Sequence, residues 1–210
     1  MRIDEMFLGI QGEGIESGLV TLFIRTFGCN LGCSWCDTKQ KKGKEIGVKD
    51  ILKKCESFGN KRVCITGGEP LIQKQDCIKL MNLLIKKRFK ILIETNGSLD
   101  ISGLPKKAVV SLDIKCPSSK EDKRILIKNL NLIRKKDQVK FVIADKKDYE
   151  FAKRFVQEYN LIGKTGVVFQ PEYNSGFDKR LLKSILKDKL DVRLGFQLHK
   201  ICWKDNWSKK

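Results

Sequence analysis

The stretch that decides the fold runs Arg62-Val63-Cys64-Ile65-Thr66-Gly67-Gly68-Glu69-Pro70. Its first half is largely apolar and β-branched, which indicates a buried strand, and the glycine pair that follows indicates a turn. Residues 74–87 then carry apolar side chains at helical spacing, and residues 90–94 return to a strand pattern. A strand, a helix and a second strand in direct succession are typical of a parallel sheet that is covered by helices.

The same alternation extends outward over the 210 residues of the chain. Further strands are predicted at 20–25, 108–114, 138–143, 166–170 and 192–198, and further helices at 48–58, 121–134, 147–159 and 177–190. The pattern predicts a single α/β domain over residues 1–210, with its strands in a barrel or partial barrel. In such folds the functional residues lie in loops that follow the carboxyl ends of the strands.

Composition limits the class of protein. Hydrophobic residues make up 41% and charged residues 32% of the chain, which is typical of a globular domain. No apolar run approaches the ~20 residues that a membrane span requires, and the amino terminus has no signal-peptide pattern, so a cytoplasmic location is expected. The net charge of +18 fits either a polyanionic partner or a lysine-rich solvated surface. Because the lysines are spread along the chain and not interleaved with aromatic residues, we favour the solvated surface and expect no direct nucleic-acid role.

Polar or glycine-rich segments follow most of the predicted strands. They are Gly28-Cys29, Thr66 to Glu69, Glu94 to Gly97, Asp113 to Lys115 and Gln170 to Glu172. Since the carboxyl ends of parallel strands meet at one edge of the sheet, we expect these segments to converge on one rim.

Three of the eight cysteines lie close together, at Cys29, Cys33 and Cys36, with the spacing C-x3-C-x2-C. Three thiolates from one loop can bind three corners of an iron–sulfur cluster and leave one iron open to another ligand. A zinc site would need a fourth ligand, and the chain has no second C-x2-C pair and a single histidine, His199. A thioredoxin-like pair at Cys33 and Cys36 would leave Cys29 unexplained. The spacing favours the cluster, and the other five cysteines are expected to be small packing residues.

The cysteine motif, with Trp35 directly before its third cysteine, resembles the cluster motif of the radical S-adenosylmethionine (SAM) superfamily. The turn Gly67-Gly68-Glu69-Pro70 resembles the GGEP motif of that superfamily, in the expected order and at a strand end. The resemblance implies a partial parallel (β/α) barrel, a [4Fe-4S] cluster on the three cysteines and SAM on the open iron. It also implies that the backbone of residues 67–69 binds the amino group of SAM.

A narrower resemblance covers nearly the whole chain and is to the 7-carboxy-7-deazaguanine synthase family. The segments that carry it are Phe7 to Gly14, Phe23 to Arg25, Gly28 to Leu31, Cys36 to Thr38, Thr66 to Pro70, Glu94 to Gly97, Asp113 to Pro117 and Gln197 to Lys200. It implies a carbon–nitrogen lyase that converts 6-carboxy-5,6,7,8-tetrahydropterin to 7-carboxy-7-deazaguanine and ammonia, on the route to the tRNA deazapurines queuosine and archaeosine. It further implies a [4Fe-4S] cluster, SAM and Mg2+ as cofactors, a flavodoxin or ferredoxin as one-electron donor, and a homodimer.

The same resemblance assigns roles to particular residues. The substrate residues are Ile10, Gln11, Gly12, Glu13, Arg25, Thr66 and His199, with a substrate loop at residues 8–16. The SAM residues are Trp35, Asp37, Gly67, Gly68, Glu69, Glu94, Asn96, Asp113, Lys115 and Gln170, and the cluster loop spans residues 28–38. Thr38 is the protein ligand of Mg2+, and no catalytic residue beyond the cluster and SAM is expected.

The residue types suit a pterin. Gln11 can donate and accept, Glu13 can accept from the amino edge, and Arg25 can hold a carboxylate in a bidentate fork. The alternative for Glu13 and Arg25 is a surface ion pair with each other. The alternative for Thr38 is a helix N-cap, and that for His199, which we place at the end of the last strand, is a structural role.

Two other functions stay open at this point. Another radical SAM enzyme, such as a glycyl-radical activase, would share the cysteine and GGEP motifs but not the loop at residues 11–13 with Arg25. A basic RNA-binding protein with a structural metal site would account for the charge and the cysteines alone. The tail from residue 203 to residue 210 departs from the family pattern.

Overall fold

A computed structural model describes residues 1–38 and 42–203 of the chain. Its strands are β1 (Arg2–Ile10), β2 (Val20–Thr26), β3 (Lys44–Glu45), β4 (Arg62–Gly67), β5 (Lys90–Thr95), β6 (Val109–Ile114), β7 (Gln138–Ile143), β8 (Gly166–Pro171) and β9 (Arg193–Leu194). Its α-helices are α1 (Val48–Ser57), α2 (Lys74–Lys86), α3 (Lys146–Glu158), α4 (Asp178–Asp188) and α5 (Leu198–Trp203). None of the helices in these ranges has the length and apolar character of a membrane-spanning segment.

One nine-stranded sheet contains all of these strands, in the order β3-β1-β2-β4-β5-β6-β7-β8-β9. Neighbouring strands from β2 to β9 in this order run parallel, and the sheet is open, which confirms the α/β partial barrel. The sequence analysis did not predict β1 and β3. They lie at one edge of the sheet, where β1 pairs antiparallel with both β2 and β3. Leu8 to Ile10, the first part of the predicted substrate loop, form the end of β1.

The two faces of the sheet differ in chemistry because successive strand residues point to opposite sides. The outer face packs under the helices with fully buried residues such as Ile24, Ile65 and Ile93. The inner face has a small apolar floor of Phe23, Cys64 and Leu92. Two residues further along the same strands, and therefore on the same face, lie Arg25, Thr66 and Glu94. The fold thus places a layer of polar side chains directly above an apolar floor, at the carboxyl ends of the strands.

The prediction of a helix at 121–134 is wrong. Two short 3-10 turns, Asp122–Arg124 and Ile127–Asn131, stand in its place. Asn129 is fully buried, and its amide donates to the carbonyl oxygens of Gly97 (3.0 Å) and Leu99 (2.8 Å). These tertiary hydrogen bonds to the loop after β5 fix the backbone locally, so they override the helical spacing of the apolar residues.

The strand that we predicted at 192–198 is also largely wrong. Only Arg193 and Leu194 pair with β8, and the chain then turns into α5, which contains His199. The Leu198 N–H donates to the Gly12 carbonyl oxygen at 3.0 Å, so this segment crosses to the substrate loop instead of following β8. His199 therefore lies in a helix and not at a strand end. Cys202 of the same helix is exposed, contrary to its expected packing role, whereas Cys55, Cys64, Cys77 and Cys116 are buried as expected.

Candidate active site

Glu94 organises the polar layer of the inner face. Its Oε1 accepts a hydrogen bond from the Gln11 side-chain amide at 3.0 Å, and its Oε2 accepts one from the Thr66 hydroxyl at 2.8 Å. Gln11 is almost fully buried, and its Oε1 in turn accepts from the Glu13 N–H at 3.3 Å. The structure therefore groups Glu94, which was predicted to bind SAM, with residues that were predicted to bind the substrate.

Glu13 and Lys140 form a buried ion pair across the inner face. Lys140 Nζ contacts Glu13 Oε2 and lies 3.7 Å from Asp113 Oδ2, while the Gln197 amide donates to Glu13 Oε1 at 2.6 Å. Burial alone would raise the pKa of Glu13, but Lys140 and Gln197 lower it to about 2. Burial would lower the pKa of Lys140, but the carboxylates of Glu13 and Asp113 raise it above its ordinary value. Both partners are therefore charged at neutral pH.

The sequence interpretation overlooked Lys140, although a signal was present. Strand β7 is apolar except for Gln138 and Lys140, which are two residues apart and therefore share a face. Gln138 donates to the Ser111 hydroxyl at 2.6 Å and accepts from the Ile15 N–H at 2.7 Å. Two buried polar residues at strand spacing indicate a polar inner face, and they would have identified Lys140 as a site residue.

Arg25 forms an ion pair with Glu5 and not the pair with Glu13 that the sequence analysis considered. Its Nε lies 2.9 Å from Glu5 Oε1, without the alignment of a hydrogen bond, and its guanidinium carbon lies 5.6 Å from the centre of the Phe7 ring. The alternative of a pair between Glu13 and Arg25 is not formed, because each has another partner. Arg25 is adjacent to Thr66 in the register of β2 and β4, which keeps it in the polar layer.

The glycine-rich turn after β4 is fastened to its neighbours by Glu69. This fully buried carboxylate accepts from the Leu71 N–H and the Thr95 hydroxyl through Oε1 and from the Asn96 N–H through Oε2, at 2.7 to 2.9 Å. Burial raises its pKa, although the three donors oppose the change. The Glu69 N–H donates to the Gly28 carbonyl oxygen at 2.8 Å. Glu69 thus holds the turn against the β5 loop through its side chain and against the cluster loop through its backbone N–H.

Gly67 is required by the geometry of this turn. Its φ is +120°, and a Cβ atom there would lie 2.4 Å from the backbone nitrogen of Thr26. The Gly68 N–H donates to the Thr26 carbonyl oxygen at 3.1 Å. The two glycines let β4 end in close contact with the start of the cluster loop.

The cluster loop carries its three thiols near the surface. Cys29 and Cys36 are exposed and Cys33 is half-buried, and the Leu31 N–H points to Cys29 Sγ at 3.5 Å. Burial raises the pKa of Cys33, and so do Asp113 and the two other cysteines, whereas Lys115 lowers it. Within residues 1–38 and 42–203, no three His, Cys, Asp or Glu side chains are close enough together to hold a metal ion. The donor set nevertheless fits an iron–sulfur cluster, since three accessible thiols on one loop are the ligands that such a cluster takes.

Two buried acceptors on the inner face lack a hydrogen-bond donor among the described residues. They are Asp113 Oδ1, on β6, and Gln170 Oε1, on β8. Buried polar atoms are normally satisfied, so unpaired acceptors at a strand end fit a ligand with N–H or O–H groups, such as SAM. Lys115 donates to Asp113 Oδ2 at 3.0 Å and lies 5.3 Å from the Trp35 ring centre, so three of the predicted SAM residues are in contact.

The remaining predicted residues lie around the cluster loop. The Asn96 amide donates to Asn30 Oδ1 at 3.1 Å, and the Trp35 indole donates to the Ser118 hydroxyl at 3.2 Å. Asp37 is exposed, and its carboxylate pairs with Lys200 of α5 at 2.8 Å. Thr38 is half-buried at the end of the described part of this loop.

Helix α5 and the residue before it cover the substrate loop. The His199 ring lies directly on Gly12, where a Cβ atom would be 2.0 Å from His199 Nδ1. Burial lowers the pKa of His199, although Glu13 opposes the change. Ile10 ends β1 opposite Val20, so the substrate loop is held at its start by β2 and at Gly12 by α5. Residues 204–210 of the tail lie outside the described residues.

Comparisons with known proteins agree with this geometry. The model of the radical SAM superfamily matches residues 23–169. A Thermoplasma acidophilum protein named 7-carboxy-7-deazaguanine synthase is 39% identical over 98% of this chain and 98% of its own. A Koribacter versatilis protein of the same name is 36% identical over 97% of each chain. The crystal structure of QueE from Escherichia coli superposes with a TM-score of 0.78, at 25% identity and 94% coverage of both chains.

Proposed function

We infer how this chain works from the premise that it belongs to the 7-carboxy-7-deazaguanine synthase family of the radical SAM superfamily. It is a lyase that contracts the ring of 6-carboxy-5,6,7,8-tetrahydropterin to 7-carboxy-7-deazaguanine with loss of ammonia. Its cofactors are a [4Fe-4S] cluster, SAM and Mg2+. When bound, the cluster and SAM supply the one-electron chemistry that removes a hydrogen atom from the substrate. The observation that carries the residue assignments is the polar layer above an apolar floor, which lies beside the cluster loop.

The polar layer provides the groups that a pterin edge needs. We propose that Glu13, which is ionised because its pKa is about 2, accepts hydrogen bonds from the amino edge. Lys140 and Gln197 each engage one of its oxygens, and a carboxylate has about four acceptor sites, so capacity remains for the substrate. Gln11 is held in one orientation by Glu94, which prepares its side chain to face a flat ligand. Ile10, Gly12, Thr66 and His199 are the other proposed substrate residues; Thr66 donates to Glu94, and the His199 ring lies on Gly12.

Arg25 is proposed to hold the substrate carboxylate. Its ion pair with Glu5 engages the Nε side of the guanidinium, and the two terminal nitrogens form the fork that matches a carboxylate. The apolar floor beneath it lowers the local dielectric, which strengthens this interaction relative to one in water. Arg25 therefore both orients the substrate and selects a carboxylated pterin.

The SAM site is proposed to lie between the cluster loop and the ends of β4 to β8. Asp113 Oδ1 and Gln170 Oε1 offer acceptors, and the backbone of residues 67–69 binds the amino group, because the buried Glu69 side chain is directed to Leu71, Thr95 and Asn96. Cys29, Cys33 and Cys36 hold the cluster, and Thr38 binds Mg2+. Trp35, Asp37, Glu94, Asn96 and Lys115 complete the surroundings. Glu94 also holds the side chains of Gln11 and Thr66 in place.

One experiment tests this function. The anaerobically reconstituted protein is incubated with SAM, Mg2+, a chemical reductant and the carboxy-tetrahydropterin, and the products are measured by mass spectrometry. We expect 7-carboxy-7-deazaguanine to form only when all components are present. Cleavage of SAM without this product would point to another radical SAM reaction, such as that of a glycyl-radical activase. A colourless protein that binds zinc would instead support the structural metal site.

A homodimer and a cytoplasmic location are also proposed. Leu8 of β1 and Val20 of β2 are about half exposed on the outer face at the sheet edge. Exposed apolar side chains on neighbouring strands suit contact with a second copy of the chain. All eight cysteines are free thiols in the structure, which suits a reducing compartment. Analytical ultracentrifugation of the wild type and of the Leu8→Glu variant would test the dimer, which the variant should dissociate.

A further inference from the structure

The cluster loop is hydrogen-bonded to a second segment of the chain, residues 118–124. The Gly32 N–H donates to Glu121 Oε1 at 2.6 Å, and the Ser34 N–H donates to the Ser119 carbonyl oxygen at 3.1 Å. The Ser34 hydroxyl donates to the Ser118 carbonyl oxygen at 2.6 Å. Residues 118–124 are therefore fixed against the loop that carries the cluster ligands.

This second segment presents exposed cations beside the loop. Lys120, Lys123 and Arg124 are all exposed, and none of them forms an ion pair within the described part of the chain. Glu121 is directed inward to the Gly32 N–H, away from these three side chains. We name Lys120, Lys123 and Arg124 the 120–124 patch.

A second group of cations flanks the base of the loop. The Arg2 guanidinium lies 4.3 Å from the centre of the Phe27 ring, and Phe27 directly precedes Gly28 at the start of the loop. Gly43 packs against the same ring, and a Cβ atom there would lie 2.6 Å from the Cβ of Phe27. Lys42 and Lys44, on either side of Gly43, are exposed. We name Arg2, Lys42 and Lys44 the Phe27 patch.

The charge beside the loop is strongly one-sided. In Arg2 and the segments 42–45 and 120–124, six cations stand against three acids. One acid, Glu45, pairs with the amino terminus, and another, Glu121, with Gly32. Cations that lack an acidic partner and lie on both sides of a loop produce a positive field that extends into solvent over about one Debye length.

We propose that the 120–124 patch and the Phe27 patch together form the docking surface for an acidic protein that carries one electron. The proposal rests on the proposed function, in which one electron must reach the cluster from outside the chain. The carrier loses that electron and is oxidised, and the cluster gains it and is reduced. A positive surface around the cluster ligands attracts an acidic carrier and brings it to the place where the transfer occurs. The net charge of +18 is therefore not only surface solvation, because part of it is concentrated here.

A charge-reversal variant and a matched control test the surface. The patch variant carries Lys120→Glu, Lys123→Glu and Arg124→Glu. The control carries Lys179→Glu, Lys183→Glu and Lys187→Glu, which are exposed residues of α4 beside the far end of the sheet. Both variants change the net charge equally, so a general charge effect would appear in both. Turnover is measured anaerobically with dithionite and methyl viologen, and separately with increasing concentrations of reduced flavodoxin.

With the chemical reductant we expect both variants to turn over within twofold of the wild type. With flavodoxin, the concentration for half-maximal rate should rise at least tenfold in the patch variant and less than threefold in the control. Raising the salt concentration should increase the flavodoxin concentration for half-maximal rate of the wild type and leave that of the patch variant almost unchanged. Equal half-saturation in the patch variant and the control would overturn the proposal, and so would competition of tRNA with flavodoxin at equimolar concentration.

Two further measurements keep this test separate from the proposed function. Reduction of the cluster by flavodoxin is followed by the loss of its visible absorbance, without any pterin. If the wild type makes no product with the chemical reductant, the proposed function fails, but the reduction rates still report on docking. If the patch variant loses activity with both reductants, a milder variant that carries Lys120→Gln, Lys123→Gln and Arg124→Gln replaces it. A rise of less than threefold in the flavodoxin concentration for half-maximal rate of this milder variant would overturn the proposal.

Discussion

Replacing Lys140 tests the buried ion pair at the centre of the site. Lys140→Met keeps a long side chain but removes the charge that faces Glu13 Oε2 and Asp113 Oδ2. Glu13 would then be a buried carboxylate whose environment raises its pKa instead of lowering it. We therefore expect the variant to be destabilised and to fail in substrate binding, since the ionised Glu13 is the proposed acceptor for the amino edge.

The structure gives the size of the effect. A shift of the Glu13 pKa from 4.5 to about 2 corresponds to about 3 kcal/mol of stability at neutral pH. Removing one partner of a buried pair costs about 3–5 kcal/mol in general, which agrees with this figure. The sign follows from the direction of the shift: a depressed pKa stabilises the protein above pH 4.5, and the contribution is lost as the pH falls toward 2.

The assay is chemical denaturation of the cluster-loaded protein under anaerobic conditions, from pH 4 to pH 8. Lys140→Met should lose about 3–5 kcal/mol at pH 7 and should recover part of it as the pH falls, because Glu13 then becomes protonated. The exposed Lys90→Met serves as control and should change stability by less than about 0.5 kcal/mol. Lys140→Met combined with Glu13→Gln should regain most of the lost stability. A loss below about 1 kcal/mol in the single variant, or no recovery in the double variant, would refute the reasoning.

Three other predictions concern the site. Alanine at any of the three cluster-loop cysteines should abolish iron content and activity, whereas Cys77→Ala should lower only stability, by about 1–2 kcal/mol, because Cys77 is buried in the core; iron analysis and denaturation separate the two. Arg25→Lys should raise KM by about 10- to 100-fold while the cluster still forms, because lysine lacks the planar fork; steady-state kinetics would contradict this with an unchanged KM. Gly67→Ala should weaken SAM binding by at least tenfold, because its Cβ would collide with the Thr26 nitrogen; equilibrium dialysis that shows normal affinity would contradict it.

Periodicity predicted much of this fold because the parallel strands are short and apolar. The bounds of β7 were predicted without error, and those of α1 and α2 within one residue, since no tertiary contact competes with the local pattern there. The segment at 121–134 was predicted incorrectly because Asn129 binds backbone groups that are remote in sequence. No local pattern contains that information.

The site was predicted unevenly for the same reason. Motif residues such as Gly67 and Cys29 are recognisable because their spacing is local. The polar spacing of Gln138 and Lys140 marks Lys140 as an inner-face residue, but its partner Glu13 is 127 positions away, so the sequence could not predict the ion pair between them. His199 was placed at a strand end because the turn that takes it to Gly12 depends on a hydrogen bond to another element.

The hydrogen bonds of the inner face distinguish its two carboxylates. Both oxygens of Glu94 are occupied, one by Gln11 and one by Thr66, so this side chain positions other residues. Asp113 differs, because Lys115 and Lys140 both contact its Oδ2 and leave the buried Oδ1 without a donor among the described residues. The two lysines contact one oxygen of Asp113, and the other oxygen stays available to a ligand. Asp113 is thus proposed to bind a donor group of SAM through its unpaired Oδ1, whereas Glu94 holds the side chains of Gln11 and Thr66.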